Sequence, residues 1–386
     1  MRVLLVHNRY RHPGGEERHV ELLAHHLRAA GVAADVLELD SQEVRDDRIA
    51  MIRAGFRTPY SRAGAAVVRE RLRHHPADVV HFHNLWPLLT PAALRAARTA
   101  GARVALTLHN YRFACPSGTL FANERRHLSC LRGSSLACAV RHSGTPFGQR
   151  LVYGVSLALQ RRFDMLNRWV DVFVAPSAYI RRRAIEAGID GRRVIVVHNG
   201  INLPPPVRSV GHEFVLYAGR LSVEKGLNVL LTAASKLPHR QFVVAGAGPL
   251  DKRARPSNVR LIGVVNGNVL SGLRSRSQMA VVPSLCDDVL PFAAIESLAH
   301  SRPVVASSVG GIPEIVVDAR TGLLVPPNDA GALAAAIERL CSDKTARETF
   351  GRNGRADAER RFDARVQAQH VLAAYLAAAR EEVAVL

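Results

Sequence analysis

Short apolar runs rich in β-branched residues alternate with amphipathic stretches along the whole 386-residue chain, and this alternation restricts the possible folds more than any other feature. Strands that alternate with helices form parallel sheets covered by helices. In the first half, strands are predicted at residues 3–7, 34–39, 78–83, 104–109, 171–175 and 194–198. Amphipathic segments lie between them, for example at residues 16–30 and 90–100. The pattern indicates a doubly wound α/β domain.

The alternation stops at a proline-rich segment and then restarts. The segment NGINLPPPVRSVGH, residues 199–212, has the composition of a linker. Beyond it, strands are predicted at residues 214–219, 242–246, 259–263, 279–283, 303–307 and 322–326. We therefore predict two doubly wound domains, over residues 1–203 and 214–365, joined by a linker over 204–213. Ligands of such sheets bind at the carboxyl ends of the strands, which favours a site in the cleft between the domains.

Several classes of protein are disfavoured by the composition. No run of 18 or more apolar residues is present, so we expect no membrane-spanning helix. The apolar run in MRVLLVHNRY is too short for a signal peptide and predicts a first strand instead. Five cysteines do not match a secreted disulfide framework, so we expect a reducing cytoplasm.

The positive charge is concentrated in the first half of the chain. Residues 1–200 contain 30 Arg and no Lys against 16 acidic residues, within a net charge of +19 for the whole chain. A genome of high GC content explains part of this bias. The alternative is an acidic partner, such as an anionic membrane surface, a phosphorylated acceptor or nucleic acid. Nucleic acid is the least favoured, because aromatic residues make up only 5% and no binding motif is present.

One basic stretch in this half suits a membrane surface. Residues 51–75, MIRAGFRTPYSRAGAAVVRERLRHH, mix arginines such as Arg53 with Phe56, Tyr60 and valines. Basic side chains beside apolar ones favour binding to anionic lipid. We therefore predict reversible, salt-sensitive membrane association through the first domain.

The stretch CDDVLPFAAIES, residues 286–297, predicts a ligand site. Pro291 suits the first position of a helix, whose free N–H groups can bind an anion. Glu296 falls in the second turn, and helical side chains lean toward the N-terminus. Asp288 and Glu296 are therefore expected to face whatever the helix start binds. An anion site beside two carboxylates suggests a ligand that is partly phosphate and partly polyol.

Two cations are predicted beside this site. In AGRLSVEKG, residues 218–226, Gly219 ends a strand and Arg220 and Lys225 follow it. Together they could neutralise a diphosphate. Two surface cations near a helix start would be mildly unfavourable, which favours the functional interpretation.

Glycines follow other strands as well. Gly246 and Gly248 come after the next strand, although a lone G-x-G is a weak signal. Val264 could offer backbone groups to a nucleobase. In the first domain, Gly14 and Gly15 precede a helix and allow a ligand close to the backbone, with a simple loop as an equal alternative.

Histidines and cysteines in the first half are weaker candidates. His109 is placed at the end of a predicted strand, near His81 and His83, although with 17 His in the chain a structural role is the more common one. Three cysteines share one Arg-rich loop with His127 and His142, and their spacings match no compact zinc pattern well. Free thiols in a long insertion are expected. The weak candidates for metal ligands are Cys115, Cys130, Cys138 and His142.

Taken together, these motifs resemble those of the retaining glycosyltransferases of family four, whose GT-B fold has two facing Rossmann-like domains. The resemblance covers nearly the whole chain. It is strongest between residues 214 and 330, in AGRLSVEKG, VVAGAGPL, VVPSLCDDVLPFAAIESLAHSRPVVASSVGGIPEIV and TGLLVPPND. Looser matches in the first half are GGEE, DVVHFHN, TLHNY and VVHNGIN. The resemblance implies that a C-terminal helix, about residues 366–386, packs back on the first domain.

The chain departs from the family at two places. The paired-glutamate signature of the family maps onto Asp288 and Glu296, and Asp288 stands where the family usually has glutamate. The shorter side chain bears on which sugar is accepted and on the rate. An insertion after the histidine strand often carries four cysteines in the family, beginning with C-P-x-G. Here CPSG is present, but Gly133 stands where a C-x-x-C partner would be.

The resemblance implies a role for each matching residue of the second domain. Arg220 and Lys225 would hold the donor diphosphate, and Glu296 would accept the ribose hydroxyls. Asp288 would bind hydroxyls of the sugar, together with backbone N–H groups in the segment from Leu290 through Pro291 to Phe292. In the first domain, Gly15 would approach the donor phosphates and His109 would lie near the transferred sugar.

The sequence thus predicts a cytoplasmic, retaining hexosyltransferase that needs no metal or other cofactor and uses a UDP- or GDP-linked sugar as donor. The acceptor is expected to be a glycan, a lipid-linked molecule or a small molecule, and the inner face of the plasma membrane is a candidate partner. One alternative is a nucleotide-sugar epimerase of the same fold, although the order of motifs favours transfer. Another is a non-catalytic sugar- or nucleic-acid-binding protein, against which the intact Arg220, Lys225 and Glu296 argue.

Overall fold

The computed structural model describes residues 1–9, 15–40, 60–141, 147–206 and 213–383. Gly14, His142, residues 51–59 of the basic stretch and residues 207–212 of the predicted linker lie outside these ranges. The chain divides into two compact units. The first comprises Met1–Asn123, His127–Gly200 and Ala364–Leu386, and the second comprises Glu124–Arg126 and Ile201–Asp363.

The first unit is built on a parallel sheet. The strands up to the linker are β1 (Arg2–Arg9), β2 (Ala33–Asp40), β3 (Val79–Phe82), β4 (Arg103–Thr107), β5 (Phe121–Ala122), β6 (Arg125–Arg126), β7 (Val172–Ala175) and β8 (Val194–Val196). Six of them form the sheet in the order β2-β1-β3-β4-β7-β8, and β5 and β6 form a small sheet of their own. The central strand β1 buries Val3 through Asn8 on both faces, as a parallel strand covered by helices must.

Helices cover this sheet and fill the long connection after β4. They are α1 (Gly15–Ala29), α2 (Arg62–His74), α3 (Thr90–Thr99), α4 (Ser129–Arg132), α5 (Ser135–Arg141), α6 (Phe147–Arg162), α7 (Met165–Trp169) and α8 (Ala178–Glu186). Short 3-10 turns occur at Tyr111–Phe113 and Gly191–Arg193.

The second unit repeats the architecture with a second parallel sheet. Its strands are β9 (Phe214–Ala218), β10 (Phe242–Ala245), β11 (Val259–Gly263), β12 (Ser277–Val282), β13 (Val304–Ser307) and β14 (Gly322–Val325), in the order β11-β10-β9-β12-β13-β14. The helices are α9 (Leu227–Ser235), α10 (Gly267–Arg276), α11 (Phe292–Ala299), α12 (Ala330–Ser342) and α13 (Lys344–Arg361), with a 3-10 turn at Ile312–Glu314. The two doubly wound sheets confirm the predicted fold class.

The C-terminal helix α14 (Ala364–Val383) belongs to the first unit. Its residues Ala368, Val371, Ala374 and Tyr375 are buried in the same apolar core as β1 and α1. The Tyr375 hydroxyl also lies 2.6 Å from a ring nitrogen of a histidine on β3. The predicted packing of this helix on the first domain is therefore confirmed. Within the described ranges, no helix is long and apolar enough to cross a bilayer.

Most predicted strand ends differ from the observed ones by one or two residues, and two differences in element boundaries concern candidate site residues. Strand β4 ends at Thr107, so His109 lies two residues beyond it, because the side chain of Asn110 accepts a hydrogen bond from the Arg112 N–H and starts a 3-10 turn. Pro291 occupies the N-cap of α11 and not its first helical position, because its ψ of 120° keeps it extended.

The order of strands shows where each sheet places its loops for binding. Connections reverse direction between β1 and β3 in the first sheet and between β9 and β12 in the second. At such a switch point the loops leave the carboxyl ends of neighbouring strands in opposite directions and open a crevice. These two points are therefore where each sheet is expected to bind a ligand.

Candidate functional site

Lys225 and Asp288 form an ion pair at the switch point of the second unit. The loop after β9 carries Lys225 and the loop after β12 carries Asp288, so paired strands bring together residues 63 positions apart. The ammonium of Lys225 donates to one oxygen of Asp288, and the Ser284 hydroxyl donates to the other at 2.5 Å. The two side chains are 28% and 11% exposed, which leaves both accessible to a ligand.

The electrostatics of this pair keep Lys225 charged. Burial alone would lower the pKa of Lys225, but the adjacent Asp288 carboxylate raises it above its ordinary value. Burial, reinforced by the charge of Asp288, also raises the pKa of the neighbouring Cys286 thiol. A fixed cation beside a protonated thiol can bind a phosphate, whereas Cys286 is poorly suited to act as a nucleophile.

Arg220 belongs to the same loop and is the more exposed of its two cations. Its guanidinium pairs with Glu224 at 2.9 Å, and its backbone carbonyl accepts a hydrogen bond from the Tyr217 hydroxyl at 2.7 Å. The backbone carbonyl of Glu224 in turn accepts the N–H of Leu285 at 2.9 Å. These bonds tie the loop after β9 to the loop after β12.

Two glycines allow further backbone segments to pack against these loops. Gly246, after β10, has a φ of +142°, and a Cβ there would lie 1.9 Å from the carbonyl oxygen of Gly219. Gly310 has a φ of +62°, and a Cβ there would lie 2.3 Å from the carbonyl oxygen of Asp288. That same oxygen accepts the N–H of Gly311 at 2.7 Å. Only glycine fits both positions, so the loops after β10 and β13 help to fix the site.

Helix α11 begins directly after the loop that carries Asp288. Leu290 is buried, Pro291 is the N-cap, and Phe292 is the first helical residue. Proline has no side-chain group with which to cap the first turn. The N–H groups of that turn, at the positive end of the helix dipole, can therefore bind an anion.

Glu296 is paired with a residue that the sequence did not predict. Its carboxylate accepts a hydrogen bond from Arg274 on α10, and the two side chains are 9% and 6% exposed. Asp288 and Glu296 are predicted to face one ligand together. In the structure each carboxylate has a cationic partner of its own, Lys225 for the first and Arg274 for the second. A single arginine in a helix offers no sequence signal for such a pairing.

The other predicted residues of the second unit lie at the same edge of the sheet. Gly219 follows β9, and Gly248 lies two residues after Gly246 with its backbone against Leu221. Val264 follows β11 directly and is exposed. The carboxyl ends of adjacent strands thus bring most of the predicted second-domain set together.

The switch point of the first unit contains buried polar side chains. Asn84, just beyond β3, accepts hydrogen bonds from the backbone and side-chain amides of Asn8 at 2.6 and 2.7 Å. Its own amide donates to Glu16 at 2.6 Å. His83 Nδ1 lies 3.0 Å from His109 Nε2. A cavity of about 30 Å³ adjoins these two histidines, and its walls include Trp86, Asn110 and Arg112.

Burial keeps the ionisable groups of this cluster uncharged. It lowers the pKa of His19 to about 4 and that of His81 to about 3, and it places those of His83 and His109 well below their ordinary value. It also raises the pKa of Glu16 to about 8, against a smaller lowering by the hydrogen bond from Asn84. His109 is therefore a neutral imidazole at pH 7, able to donate one hydrogen bond and accept another. Sequence reasoning missed Glu16 and His19.

Gly15, the other predicted residue of this region, is exposed as the first residue of α1. Its predicted partner Gly14 lies outside the described residues. A loop that leads into a helix at Gly15 is compatible with both predictions for the glycine pair, a close approach of a ligand and a simple loop.

Among the described residues of the first unit, two groups of side chains could hold a metal ion. The ring nitrogens of His19, His83 and His109 lie within 4.8 Å of one another. A second group has the same spacing and consists of Cys115, His127, Cys130 and Cys138. The three predicted cysteines are thus brought together, but with His127 in the place given to His142, which lies outside the described residues.

Two family models match this chain. The model of the family described as Glycosyltransferase Family 4 matches residues 13–204, and that described as Glycosyl transferases group 1 matches residues 212–343. The matched regions correspond to the two halves of the chain on either side of the proline-rich segment.

Individual relatives match over different lengths. A glycogen synthase from Mycobacterium tuberculosis is 31% identical over 268 residues, which are 63% of this chain and 62% of that protein. A phosphatidyl-myo-inositol mannosyltransferase from Mycobacterium leprae is 23% identical over 94% of this chain and 93% of that protein. The chain matches only part of several of these relatives: five of the matched curated proteins, among them that glycogen synthase in two strains, are covered over 39% to 62% of their own length.

The fold is also found among solved structures. The structure of HepE from Anabaena in complex with UDP-glucose superimposes with a TM-score of 0.68 at 16% identity, covering 100% of both chains. At this identity the likeness shows the fold, which is the GT-B arrangement of two Rossmann-like domains.

Proposed function

Because the chain belongs to the family 4 glycosyltransferases, we propose that it transfers a hexose-type sugar, with retention of configuration, from a UDP- or GDP-linked donor. The acceptor in this proposal is a glycan, a lipid-linked molecule or a small molecule. The observation that carries the proposal is the Lys225–Asp288 pair at the switch point of the second unit, with Arg220 in the same loop. A cationic pair beside a carboxylate matches a ligand that joins a diphosphate to a sugar.

The two cations act on the leaving group. When the bond between sugar and phosphate breaks, negative charge grows on the nucleoside diphosphate. Arg220 and Lys225 are paired with Glu224 and Asp288, and the diphosphate takes over these contacts when the donor binds. The N–H groups at the start of α11 also stabilise the negative charge on the leaving diphosphate, and they are in position before the reaction begins.

Asp288 and Glu296 bind the two sugars of the donor. Asp288 is proposed to accept a hydrogen bond from a hydroxyl of the transferred hexose once the ammonium of Lys225 contacts the donor phosphate. Glu296, held in place by Arg274, is proposed to accept hydrogen bonds from the hydroxyls of the ribose. A carboxylate held by a buried arginine keeps one orientation, which favours a bidentate contact with two neighbouring hydroxyls.

His109 and Gly15 complete the proposal from the first unit. His109 is a neutral imidazole and is assigned to a hydroxyl of the transferred sugar, and Gly15 to the donor phosphates. No carboxylate is assigned as a nucleophile. The proposed route is therefore front-face transfer, in which the acceptor attacks on the side from which the diphosphate leaves and the leaving phosphate takes the acceptor's proton.

A panel of UDP-, GDP- and ADP-sugars in a thermal-shift experiment tests donor binding. One nucleotide class should raise the melting temperature of the wild-type protein. Lys225→Ala should weaken binding of that nucleotide roughly 10- to 100-fold, as expected for lost charge-assisted hydrogen bonds. Lys236→Ala, which removes an exposed lysine at the end of α9, is the matched control and should bind like wild type. Unchanged affinity in Lys225→Ala would remove the diphosphate assignment.

Transfer is proposed to need no added divalent metal, because the cations and the helix start meet the charge of the leaving group. Activity should therefore survive a brief exposure to EDTA. Loss of activity that Mg²⁺ or Mn²⁺ restores would refute metal independence. The protein is further proposed to act in the cytoplasm, bound peripherally to the inner face of the plasma membrane.

A further inference from the structure

The long connection after β4 contains a group of side chains with no part in the proposed transfer. The ligand atoms of Cys115, His127, Cys130 and Cys138 lie within 4.8 Å of one another. All three cysteines are buried and are free thiols, and His127 is half-buried. They lie within 24 residues of one another along the chain, and the fold of the connection brings their side chains together.

We propose that these four residues bind one zinc ion in a closed structural site. Three thiolates and one imidazole are a common ligand set for structural zinc, with four ligands in a tetrahedron. With Zn–S bonds of about 2.3 Å, two sulfurs on such a tetrahedron lie about 3.8 Å apart. Since the ligand atoms are already within 4.8 Å of one another, small side-chain shifts complete the tetrahedron.

The ligand set favours zinc over other occupants. Iron–sulfur clusters are usually held by four cysteines, and hard cations such as Mg²⁺ and Ca²⁺ prefer oxygen ligands. A disulfide would use two of the thiols and leave the third beside His127 without a role. The Nδ1 atom of His127 lies 3.6 Å from the sulfur of Cys130, close enough for both atoms to bind the same ion.

The surroundings of the four side chains suit a negatively charged metal centre. Zinc with three thiolates and a neutral imidazole carries one net negative charge. The guanidinium of Arg161 lies against the same loop and donates to the carbonyl oxygens of Gly133 at 2.7 Å and Leu131 at 3.1 Å. The Ser117 hydroxyl lies 3.1 Å from the sulfur of Cys115. Such outer contacts orient the ligands of metal sites.

The site would hold the loop that forms part of the cavity wall near His109. Asn110 and Arg112 line that cavity, and the N–H of Cys115 donates to the carbonyl oxygen of Tyr111 at 2.7 Å. Zinc joins Cys115 to residues further along the connection and so restricts the segment that carries Asn110 and Arg112. The assignment of the metal does not depend on the transferase activity.

Metal content of the full-length protein tests the site directly. Protein purified without chelator from zinc-supplemented medium should contain about one zinc per chain by mass spectrometry of the metal. Cys130→Ser and His127→Ala should lose most of it. Cys341→Ser removes a buried thiol of the second unit and should keep it. His127→Cys should also retain zinc, since a fourth thiolate replaces the imidazole.

Two further measurements keep the outcome clear even if a variant folds poorly. Cobalt substituted into the wild-type protein should give the visible bands of a tetrahedral thiolate complex. Thiol titration in denaturant with chelator and without reductant should find all five cysteines reduced. Wild-type protein without zinc, or with two thiols missing, would overturn the proposal. Loss of zinc in His142→Ala but not in His127→Ala would overturn the ligand set.

Discussion

Asp288 has one oxygen facing Lys225 and the other facing Ser284. In the proposed mechanism this carboxylate both competes with the donor phosphate for Lys225 and binds the sugar. Asp288→Asn should therefore separate the two effects. We expect the turnover of the complete donor to fall roughly 10²- to 10³-fold, the scale of one lost charge-assisted contact in the transition state. Affinity for the free nucleoside diphosphate should stay the same or rise.

Steady-state kinetics and calorimetry on the same preparations check this expectation. Asp288→Glu, which restores the residue usual in the family, is the matched variant and should stay active with a changed preference among donor sugars. A parallel fall in turnover and in diphosphate affinity in Asp288→Asn would contradict the competition between Asp288 and phosphate.

Some residues of the site could be read from the sequence and others could not. Lys225 and Asp288 were predictable because each follows a strand, and the ends of paired strands meet at one edge. Arg274 was not, because its partner Glu296 is 22 residues away on another helix. For the fourth member of the cysteine group, the sequence left both His127 and His142 as candidates. The structure brings His127, three residues before Cys130, to the cysteines, and His142 lies outside the described residues.

Among the loops, the turn after β10 makes the sharpest prediction. Gly246→Ala forces a left-handed φ on alanine and places its Cβ against the carbonyl oxygen of Gly219. We expect a loss of about 1–3 kcal/mol in the free energy of unfolding from backbone strain, together with weaker nucleotide binding. Gly272→Ala in α10, where a Cβ meets nothing within 4 Å, should instead stabilise by up to about 1 kcal/mol.

Circular dichroism and nucleotide titration measure this pair of variants. Tryptophan fluorescence is less useful here, because Trp86 and Trp169 both belong to the first unit. Equal thermal midpoints and equal nucleotide affinities for the two variants would show that the Gly246 turn does not constrain the site.

At the level of elements, hydrophobic alternation predicted both sheets, while the ends of elements depended on local bonds. The apolar run from residue 104 continues to Leu108, but the polar cap at Asn110 ends β4 before His109. The fixed φ of Pro291 suits either the N-cap or the next position, and ψ decides between them. Capping bonds of this kind involve only one or two residues and leave little trace in periodicity.

For the first unit as a whole, stability should fall as the pH drops below about 6.5. The pKa of His19 is lowered to about 4 and that of His81 to about 3, so the unfolded chain takes up protons between these values and 6.5 while the folded unit does not. The stability present above pH 6.5 is thus lost as the pH falls. Each such histidine contributes up to about 1.4 kcal/mol per pH unit.

Thermal unfolding followed by tryptophan fluorescence between pH 7.5 and about 5 measures this slope. His19→Gln should flatten it, and His25→Gln on the exposed face of α1 should not. Glu16 acts with the opposite sign, since its pKa of about 8 makes the folded unit lose stability as the pH rises from 4.5 to 8. Identical slopes in wild type and His19→Gln would argue against a buried neutral His19.

The surface of the first unit combines arginines with exposed apolar side chains. On α2, Arg62, Val67, Arg69 and Arg73 are exposed. On and beside α6, the exposed fractions of Phe147 and Phe163 reach 55% and 54%, and arginine side chains lie over both rings. The predicted stretch of residues 51–75 continues into α2, while its part up to residue 59 lies outside the described residues. Cations beside aromatic rings suit the interface of an anionic bilayer.

We therefore expect the whole protein to sediment with vesicles that contain anionic lipid at low salt and to be released at high salt. Each cation near the surface contributes about 1 kcal/mol and is screened by salt. Phe147→Ser and Phe163→Ser should each weaken vesicle binding roughly tenfold, because each removes apolar area that enters the interface. Val264→Ser, an exposed apolar position in the second unit, is the control and should bind like wild type. Equal binding to neutral and anionic vesicles, or no binding at low salt, would favour a small-molecule acceptor reached from solution.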